Sequence, residues 1–326
     1  MKPEETSSRA SRRAKKKSAP SAGAPFAYSP YQRRAIELFR CNHCSDAMEF
    51  VSDALQCVTC LRVYRILPGG IVDAVGRLER PLNLAQRSGQ WPLTAAVYDR
   101  FWRRRALSLL AGVPFPPDLE IEIVARTVEL DCVQVLLDNA CGNAYYGRAL
   151  ARAMDRQSIG GVVIANDLSL PMLEKALSYA RAEGVAERIL FVRSDSERMP
   201  FASASIDAIT CGGSFNEFQS PKAFLAEARR VLRPGGRMSL MCQVRAPRRL
   251  PAALQRLAGR FAGLRFPQHE ELIDSLGGFL SVEAVLHVGS VFLSKLKRRE
   301  HHSGPYSGTT VVDPRDMTIS APISRN

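Results

Sequence analysis

Eight cysteines are spread over this 326-residue chain, and four of them fall into two pairs, Cys41-x-x-Cys44 and Cys57-x-x-Cys60. Each pair presents two thiols from one tight turn, and the twelve residues between the pairs are enough for a short hairpin that brings them together. Four thiolates in a tetrahedron are what a structural zinc ion requires, and such a closed set leaves no position for a catalytic water. Cys41, Cys44, Cys57 and Cys60 are thus the predicted ligands of a structural Zn2+ in a zinc ribbon. Four unconnected buried thiols, or two disulfides, are the alternatives. His43 is a further ligand candidate but reads better as an exposed turn residue. Cys132, Cys141, Cys211 and Cys242 read as structural, with Cys211 inside an apolar run.

A second group of residues suggests nucleotide chemistry. Leu136-Leu137-Asp138-Asn139-Ala140-Cys141-Gly142-Asn143-Ala144 follows a β-type run and opens a helical one. A strand–loop–helix of this kind lets backbone approach a ligand at a helix N-terminus. The next strand ends in Asn166-Asp167-Leu168-Ser169, where a carboxylate can accept hydrogen bonds from both hydroxyls of a ribose. Ser194-Asp195-Ser196-Glu197-Arg198-Met199-Pro200-Phe201 closes the third strand, and Val231-Leu232-Arg233-Pro234-Gly235-Gly236 precedes the fifth.

In this order and spacing the residues resemble the class I S-adenosylmethionine-dependent methyltransferases, and most closely the ubiquinone/menaquinone C-methyltransferase group. The resemblance covers about residues 130–298. It implies an α/β fold, a Rossmann-like class I methyltransferase sheet flanked by helices, here preceded by a small zinc ribbon. It also implies S-adenosyl-L-methionine as cofactor. Asp138 and the backbone of Ala140–Ala144, Gly142 included, would hold its methionine end. Asp167 would bind the ribose, Leu168 would pack on adenine, Asp195 would accept from the adenine amino group, and the Ser196 backbone would lie nearby. The family's Gly-x-Gly-x-Gly is here Ala140-Cys141-Gly142-Asn143-Ala144. Ala140 is tolerable if its φ is negative, whereas the Ala144 methyl is expected to crowd the ligand. The segment after the fourth strand faces the transferred methyl in this fold, so Ser214, Asn216 and Glu217 are the candidate substrate contacts. The Asn-Pro-Pro-Tyr motif of exocyclic-amine methyltransferases is absent, which disfavours adenine N6 chemistry.

The elements that must position these residues read as an alternation of strands and helices. Strands are predicted at Val133–Leu137, Gly161–Ala165, Ile189–Arg193, Ile206–Cys211, Arg237–Gln243, Leu280–His287 and Val291–Leu296. The organisation predicted is a disordered basic arm (1–30), the zinc ribbon (31–76), a helical aromatic linker or cap (77–117), the methyltransferase domain (118–299) and a flexible tail (300–326). The linker carries Tyr98-Asp-Arg-Phe-Trp102-Arg103, an element similar to one in ribbon-bearing methyltransferases of plastid and bacterial type. Zinc-ribbon ribosomal RNA guanine-N1 methyltransferases are also similar, but they commonly use a histidine as fourth ligand. Between Arg245 and Arg265 lie six arginines and no acid, with Leu250, Leu254, Leu257, Phe261 and Leu264 at helical spacing. That stripe either packs on the domain or faces an anionic membrane or RNA.

Composition narrows the partner without naming it. With 46% hydrophobic and 24% charged residues the chain is not wholly disordered or fibrous. It has no run of 18 apolar residues and therefore no transmembrane segment is expected. The first residues lack the apolar stretch of a secretory signal, and reduced thiols suit a cytoplasmic location. The net charge is +13, of which +5 falls in the first twenty residues. Three functions are weighed. The first is methylation of a small apolar molecule of quinone, polyketide or pigment-precursor type. The second is methylation of an rRNA or tRNA base, with the ribbon and basic surface binding RNA. The third is a non-catalytic adaptor that keeps the fold.

Overall fold

The computed structural model describes residues 26–75, 81–91, 106–246, 249–300 and 310–311. The chain enters through helix α1 (Pro30–Ile36), started by a Ser29 cap that pairs reciprocally with Gln32, with proline in the first turn. Four short strands follow as an antiparallel meander: β1 (Met48–Val51), β2 (Ala54–Cys57), β3 (Val63–Leu67) and β4 (Ile71–Asp73). Two short helices come next, α2 (Leu84–Gly89) and α3 (Ala106–Ala111). The Tyr98–Arg103 element lies outside the described residues.

From helix α4 (Pro117–Val128) onward the chain alternates. Strands β5 (Val135–Asn139), β6 (Val162–Asp167), β7 (Ile189–Arg193), β8 (Ile206–Gly212) and β9 (Leu232–Gln243) run parallel, with α5 (Tyr145–Arg156), α6 (Leu170–Ala182) and α7 (Pro221–Val231) between them. Helices α8 (Arg249–Ala262) and α9 (His269–Gly277) precede β10 (Ser281–Val288), β11 (Val291–Lys297) and β12 (Thr310–Val311). The sheet order is β1-β2-β3-β4-β7-β6-β5-β8-β9-β11-β10-β12. Because β5 has β6 on one side and β8 on the other, the winding reverses at β5. The crevice beyond its C-terminal end is where open α/β sheets take their ligands.

Both faces of the parallel strands are covered, which explains why these strands read as unbroken apolar runs. Alternate residues enter different cores: Val135, Leu137, Ile164 and Val192 pack toward α1, α7 and α9, whereas Leu136, Val163, Ala165 and Phe191 pack toward α4, α5 and α6. The Arg233–Gly236 turn is an excursion within β9. Leu232 pairs with Ile206 and Arg237 with Ala208, so the four residues between loop out around Gly235 at φ 74°.

The ribbon is continuous with this sheet. β4 pairs in parallel with β7, and Arg193 of β7 forms an ion pair with Asp73 at 3.1 Å. Tyr28, Ile36, Phe39, Leu55, Tyr64 and Val72 share one apolar core with Leu190, Val192 and Phe201. Residues 26–30 are therefore not part of the predicted disordered arm (1–30), and the rest of that arm lies outside the described residues. Tyr28 is buried with its hydroxyl donating to the Gly70 carbonyl, because Ser29 and Pro30 start a helix that the Ser/Pro-rich composition conceals. Cys132 is exposed rather than core, since it closes a single turn of 3-10 helix after α4.

The stripe on α8 also departs from the packed alternative. Leu254, Leu257 and Phe261 point to solvent, while Gln255 holds the helix to the end of β9. Gln255 accepts from Ala246 N at 2.8 Å and donates to Val244 O at 3.0 Å.

Candidate functional site

The ends of β5, β6 and β7 converge on one groove. Asp138, at the end of β5, lies beneath it and is buried. One carboxylate oxygen accepts from Gly147 N at 2.7 Å and the other from Thr210 Oγ1 at 2.9 Å. A Cβ on Gly147 would stand 2.9 Å from that carboxylate, so this helix position must be glycine for Asp138 to hold the first turn of α5. Asp138 thus positions the loop and does not line the groove.

The loop owes its shape to alternating left-handed residues: Ala140 at φ 50°, Gly142 at 55° and Ala144 at 55°. The condition under which Ala140 is tolerable, a negative φ, is not met. The expectation that Ala144 crowds the ligand fails too, because its methyl is buried in the core beneath α5. Each left-handed alanine costs about 1–2 kcal/mol, so this loop is strained and not obstructed. A Cβ on Gly142 would meet nothing within 4 Å, which marks the open side of the loop.

Ala140, Gly142, Asp167, Leu168, Asp195, Ser196, Ser214 and Glu217 all line this groove. Asp167 bridges two elements, with Oδ2 accepting from Gly142 N at 2.7 Å and Oδ1 from Ser169 N at 2.8 Å. Burial pushes its carboxyl up, and the N–H groups of Ser169, Gly142 and Leu168 oppose that rise. Asp195 accepts from Glu197 N at 2.9 Å. Behind these carboxylates a polar ladder ties the strand ends together. Asn166 donates to Asn139 at 3.0 Å, and Ser194 donates to Asn166 at 2.5 Å.

Gly213, at φ 90°, turns the chain after β8 into a short 3-10 helix at Ser214–Glu217. Ser214 Oγ donates to Ala140 O at 3.2 Å, joining this turn to the loop. The Glu217 carboxyl has no hydrogen-bond or ion-pair partner among the described residues. Burial, then the charge of Asp167, raises its carboxyl from the ordinary 4.5 to about 7. Asn216 turns the other way and is a clasp, not a substrate contact. Its amide donates to Gln243 O at 2.7 Å and to Arg265 O at 2.5 Å, and its Oδ1 accepts from Gln243 N at 2.8 Å. Both its donors and one of its two acceptor sites are spent on pinning the 3-10 turn to β9 and to the chain leaving α8. The Cys141 thiol is raised by burial and by the charges of Asp167 and Asp138, and Cys211 likewise by burial and Asp138. Both stay neutral and neither is a nucleophile.

The roof of the groove comes from the segment expected as a helical linker or cap (77–117), at residues the sequence does not single out. Helix α2 contributes Ala85, Gln86, Ser88, Gly89 and Gln90. It is held by Ser169 Oγ donating to Gly89 O at 2.5 Å, Asn83 Nδ2 donating to Glu217 O at 2.9 Å, and Gln219 Nε2 donating to Pro81 O at 2.6 Å. The available signal is the Asn83…Gln86 capping box at the start of this linker or cap. Beneath this roof the groove encloses about 160 Å³. A larger cavity, about 450 Å³, lies on the other side of the 3-10 turn. Phe215, Phe266, Pro267 and Leu272 line it together with Lys222 and Arg265.

The four paired cysteines form a cluster whose sulfurs all lie within 4.8 Å of one another, with Cys41–Cys60 and Cys44–Cys57 each at 3.4 Å. A tetrahedron with Zn–S bonds of about 2.3 Å has edges of about 3.8 Å, so this donor set fits a tetrahedral metal ion. His43 is exposed and outside the cluster. The ribbon in turn grips the loop that carries Asp195. Arg40 N donates to Pro200 O at 2.9 Å, Ala202 N donates to Leu38 O at 2.8 Å, and the rings of Phe39 and Phe201 meet edge-on at 5.3 Å.

Residues 137–240, which span β5 to β9 of this sheet, match the family described as a methyltransferase domain. An uncharacterized chloroplastic methyltransferase of Arabidopsis thaliana is 30% identical over 189 residues, 56% of this chain and 51% of that protein. A demethylmenaquinone methyltransferase of Thermus thermophilus is 28% identical over 200 residues, 57% of this chain and 78% of its own length. The chain spans about half the length of the first curated relatives it matches. Among solved structures, a SAM-dependent methyltransferase from Aquifex aeolicus aligns over 64% of this chain and 98% of its own, at 20% identity and a TM-score of 0.46.

Proposed function

We propose that this methyltransferase domain moves a methyl group from S-adenosyl-L-methionine to a small, largely apolar acceptor. The observation that carries the reading is the convergence, in one groove, of Asp167, Asp195, the open face of Gly142 and the unpartnered Glu217 carboxyl. Asp167 would hold the ribose, Leu168 and Asp195 the adenine, and the Ala140–Ala144 backbone the amino-acid end. The bound cofactor supplies a methyl already activated on a sulfonium, and acidic walls suit that positive charge. The chain's work is then to align the acceptor, exclude water and take a proton where the acceptor must lose one. Glu217, poised near neutrality, is the group we assign to that proton: acceptor O–H or acidic C–H to carboxylate.

The 450 Å³ cavity beside the 3-10 turn supports a small acceptor, because its size falls in the range of about 300–1,000 Å³ typical of ligand sites and its walls are mostly apolar. The cofactor groove, at about 160 Å³, is the smaller of the two and lies under α2. We assign Zn2+ to Cys41, Cys44, Cys57 and Cys60. The closed thiolate set gives it a structural task, keeping the ribbon folded against the Asp195 loop.

Calorimetric titration with S-adenosylmethionine and comparison of small-molecule extracts from cells with and without the gene test the reading. We expect measurable binding, weakened at least tenfold by Asp167→Ala, and a compound one methyl heavier that depends on the gene. No heat at millimolar cofactor overturns the enzyme reading. A missing methyl mark on RNA, with small-molecule extracts unchanged, overturns the acceptor class.

A further inference from the structure

We propose that α8, together with the adjoining α2, is a docking face for an anionic lipid surface. An amphipathic helix on a folded domain ordinarily turns its large apolar side chains inward. On α8 the arrangement is reversed. Leu254, Leu257 and Phe261, spaced i, i+3 and i+7, are 59, 54 and 63% exposed. The side toward the protein carries Gln255, Ala258, Gly259 and Ala262, which are small or hydrogen-bonded. Nothing among the described residues covers the outward stripe. Helix α2 packs against α8, with the Asn83 Cβ about 3.1 Å from where a Cβ on Gly263 would stand; Leu84 of α2 and Trp91 just after it are exposed.

Charge identifies the occupant. Residues 81–91 and 245–269 contain no acidic side chain. Arg256, Arg260 and Arg265 are exposed on or just after α8, and none forms an ion pair with a described residue. Two turns of exposed leucine and phenylalanine flanked by unpaired guanidinium groups match the design of a helix that lies in the headgroup region. There the apolar face enters the acyl boundary and the arginines meet lipid phosphates. Leu84, Leu254 and Leu257 can neither stack on bases nor hydrogen-bond them, and Phe261 and Trp91 alone offer stacking rings, so this mostly aliphatic face fits lipid better than RNA. The attachment proposed through α8 is peripheral, and among the described residues no helix is long and apolar enough to cross a membrane. Because α2 also roofs the groove, the docked face would put the site at the bilayer surface, where an apolar acceptor is concentrated.

The docking proposal does not require the methyl-transfer reading, and its test does not use activity. The full chain would be sedimented with vesicles of phosphatidylcholine alone or of equimolar phosphatidylcholine and phosphatidylglycerol, at about 0.15 M salt and again at about 1 M, where surface charge is screened. We expect binding to the anionic vesicles that weakens but persists at high salt. The triple variant Leu254→Ser/Leu257→Ser/Phe261→Ser is expected to lose more than about 100-fold in partition, from three apolar side chains no longer buried. Arg256→Gln/Arg260→Gln should lower binding only at the lower salt. Because these side chains are exposed, unchanged melting temperatures serve as the folding control. Three results overturn the proposal. One is a triple variant that sediments like the parent. Another is a parent chain that dimerises through this stripe without lipid. The third is no vesicle binding but tight RNA binding that depends on Arg256 and Arg260.

Discussion

Replacing Glu217 by glutamine should make the protein more stable and less active, and the size of the first effect follows from the site. The carboxyl is packed beneath α2, sees the charge of Asp167 and has no hydrogen-bond partner among the described residues, so its pKa rises from 4.5 to about 7. In the unfolded chain it returns to the ordinary value. Between those two pH values the native state holds a proton that the unfolded state has released. Stability therefore falls as pH rises through this window and stays lowered above it. A difference of that size corresponds to about 3 kcal/mol. Glutamine has a similar shape and no charge, and it breaks no hydrogen bond, so Glu217→Gln should recover about that amount at pH 8 and almost none at pH 4. The assay is urea unfolding of both proteins at the two pH values. The difference between them at each pH cancels every other titrating group, and an unchanged slope with denaturant shows that the unfolded state is the same. An equal gain at pH 4 and pH 8, or none at either, refutes the buried-carboxyl argument. Loss of roughly 100-fold or more in methyl transfer, without loss of cofactor affinity, would mark the same group as the proton acceptor.

Other perturbations read different parts of the structure. Cys57→Ser, or a chelator, should release the metal measured by elemental analysis. It should also weaken cofactor binding in calorimetry, because the ribbon holds the Asp195 loop through Phe39 and Phe201. Ala140→Gly should raise the urea midpoint by the equivalent of up to about 1 kcal/mol, by relieving a left-handed alanine. Ala144→Gly should gain less, since its buried methyl is lost from the core at the same time. Asp138→Ala should lower stability by about 1–3 kcal/mol, as Gly147 N and Thr210 Oγ1 lose a buried acceptor. A melting curve unchanged from the parent would contradict that positioning role.

Much of this molecule is legible before folding is considered. The four cysteines announce their cluster because ligand spacing is local. The β5–β9 strands declare themselves because a parallel sheet buried on both faces needs unbroken apolar runs. The strand-end residues Asp167, Asp195 and Gly142 could be placed in one groove because the order of a doubly wound sheet brings successive strand ends together. What sequence could not decide was orientation and long-range closure. Asn216 and Glu217 are neighbours on one turn, yet one is consumed as a clasp to Gln243 and Arg265 while the other faces the groove. The tertiary position of β9 alone settles which. Ala140 and Ala144 look like equivalent replacements for glycine, but only the packing of α5 shows that one methyl lies in the core. The α8 stripe has the periodicity of a packed helix, and periodicity identifies a face without saying which way it turns. That direction was decided by Gln255 binding the end of β9, and the groove's roof was decided by hydrogen bonds from Ser169, Asn83 and Gln219. Local chemistry is written in neighbouring residues, whereas the roof over the groove depends on partners as far as 138 positions away.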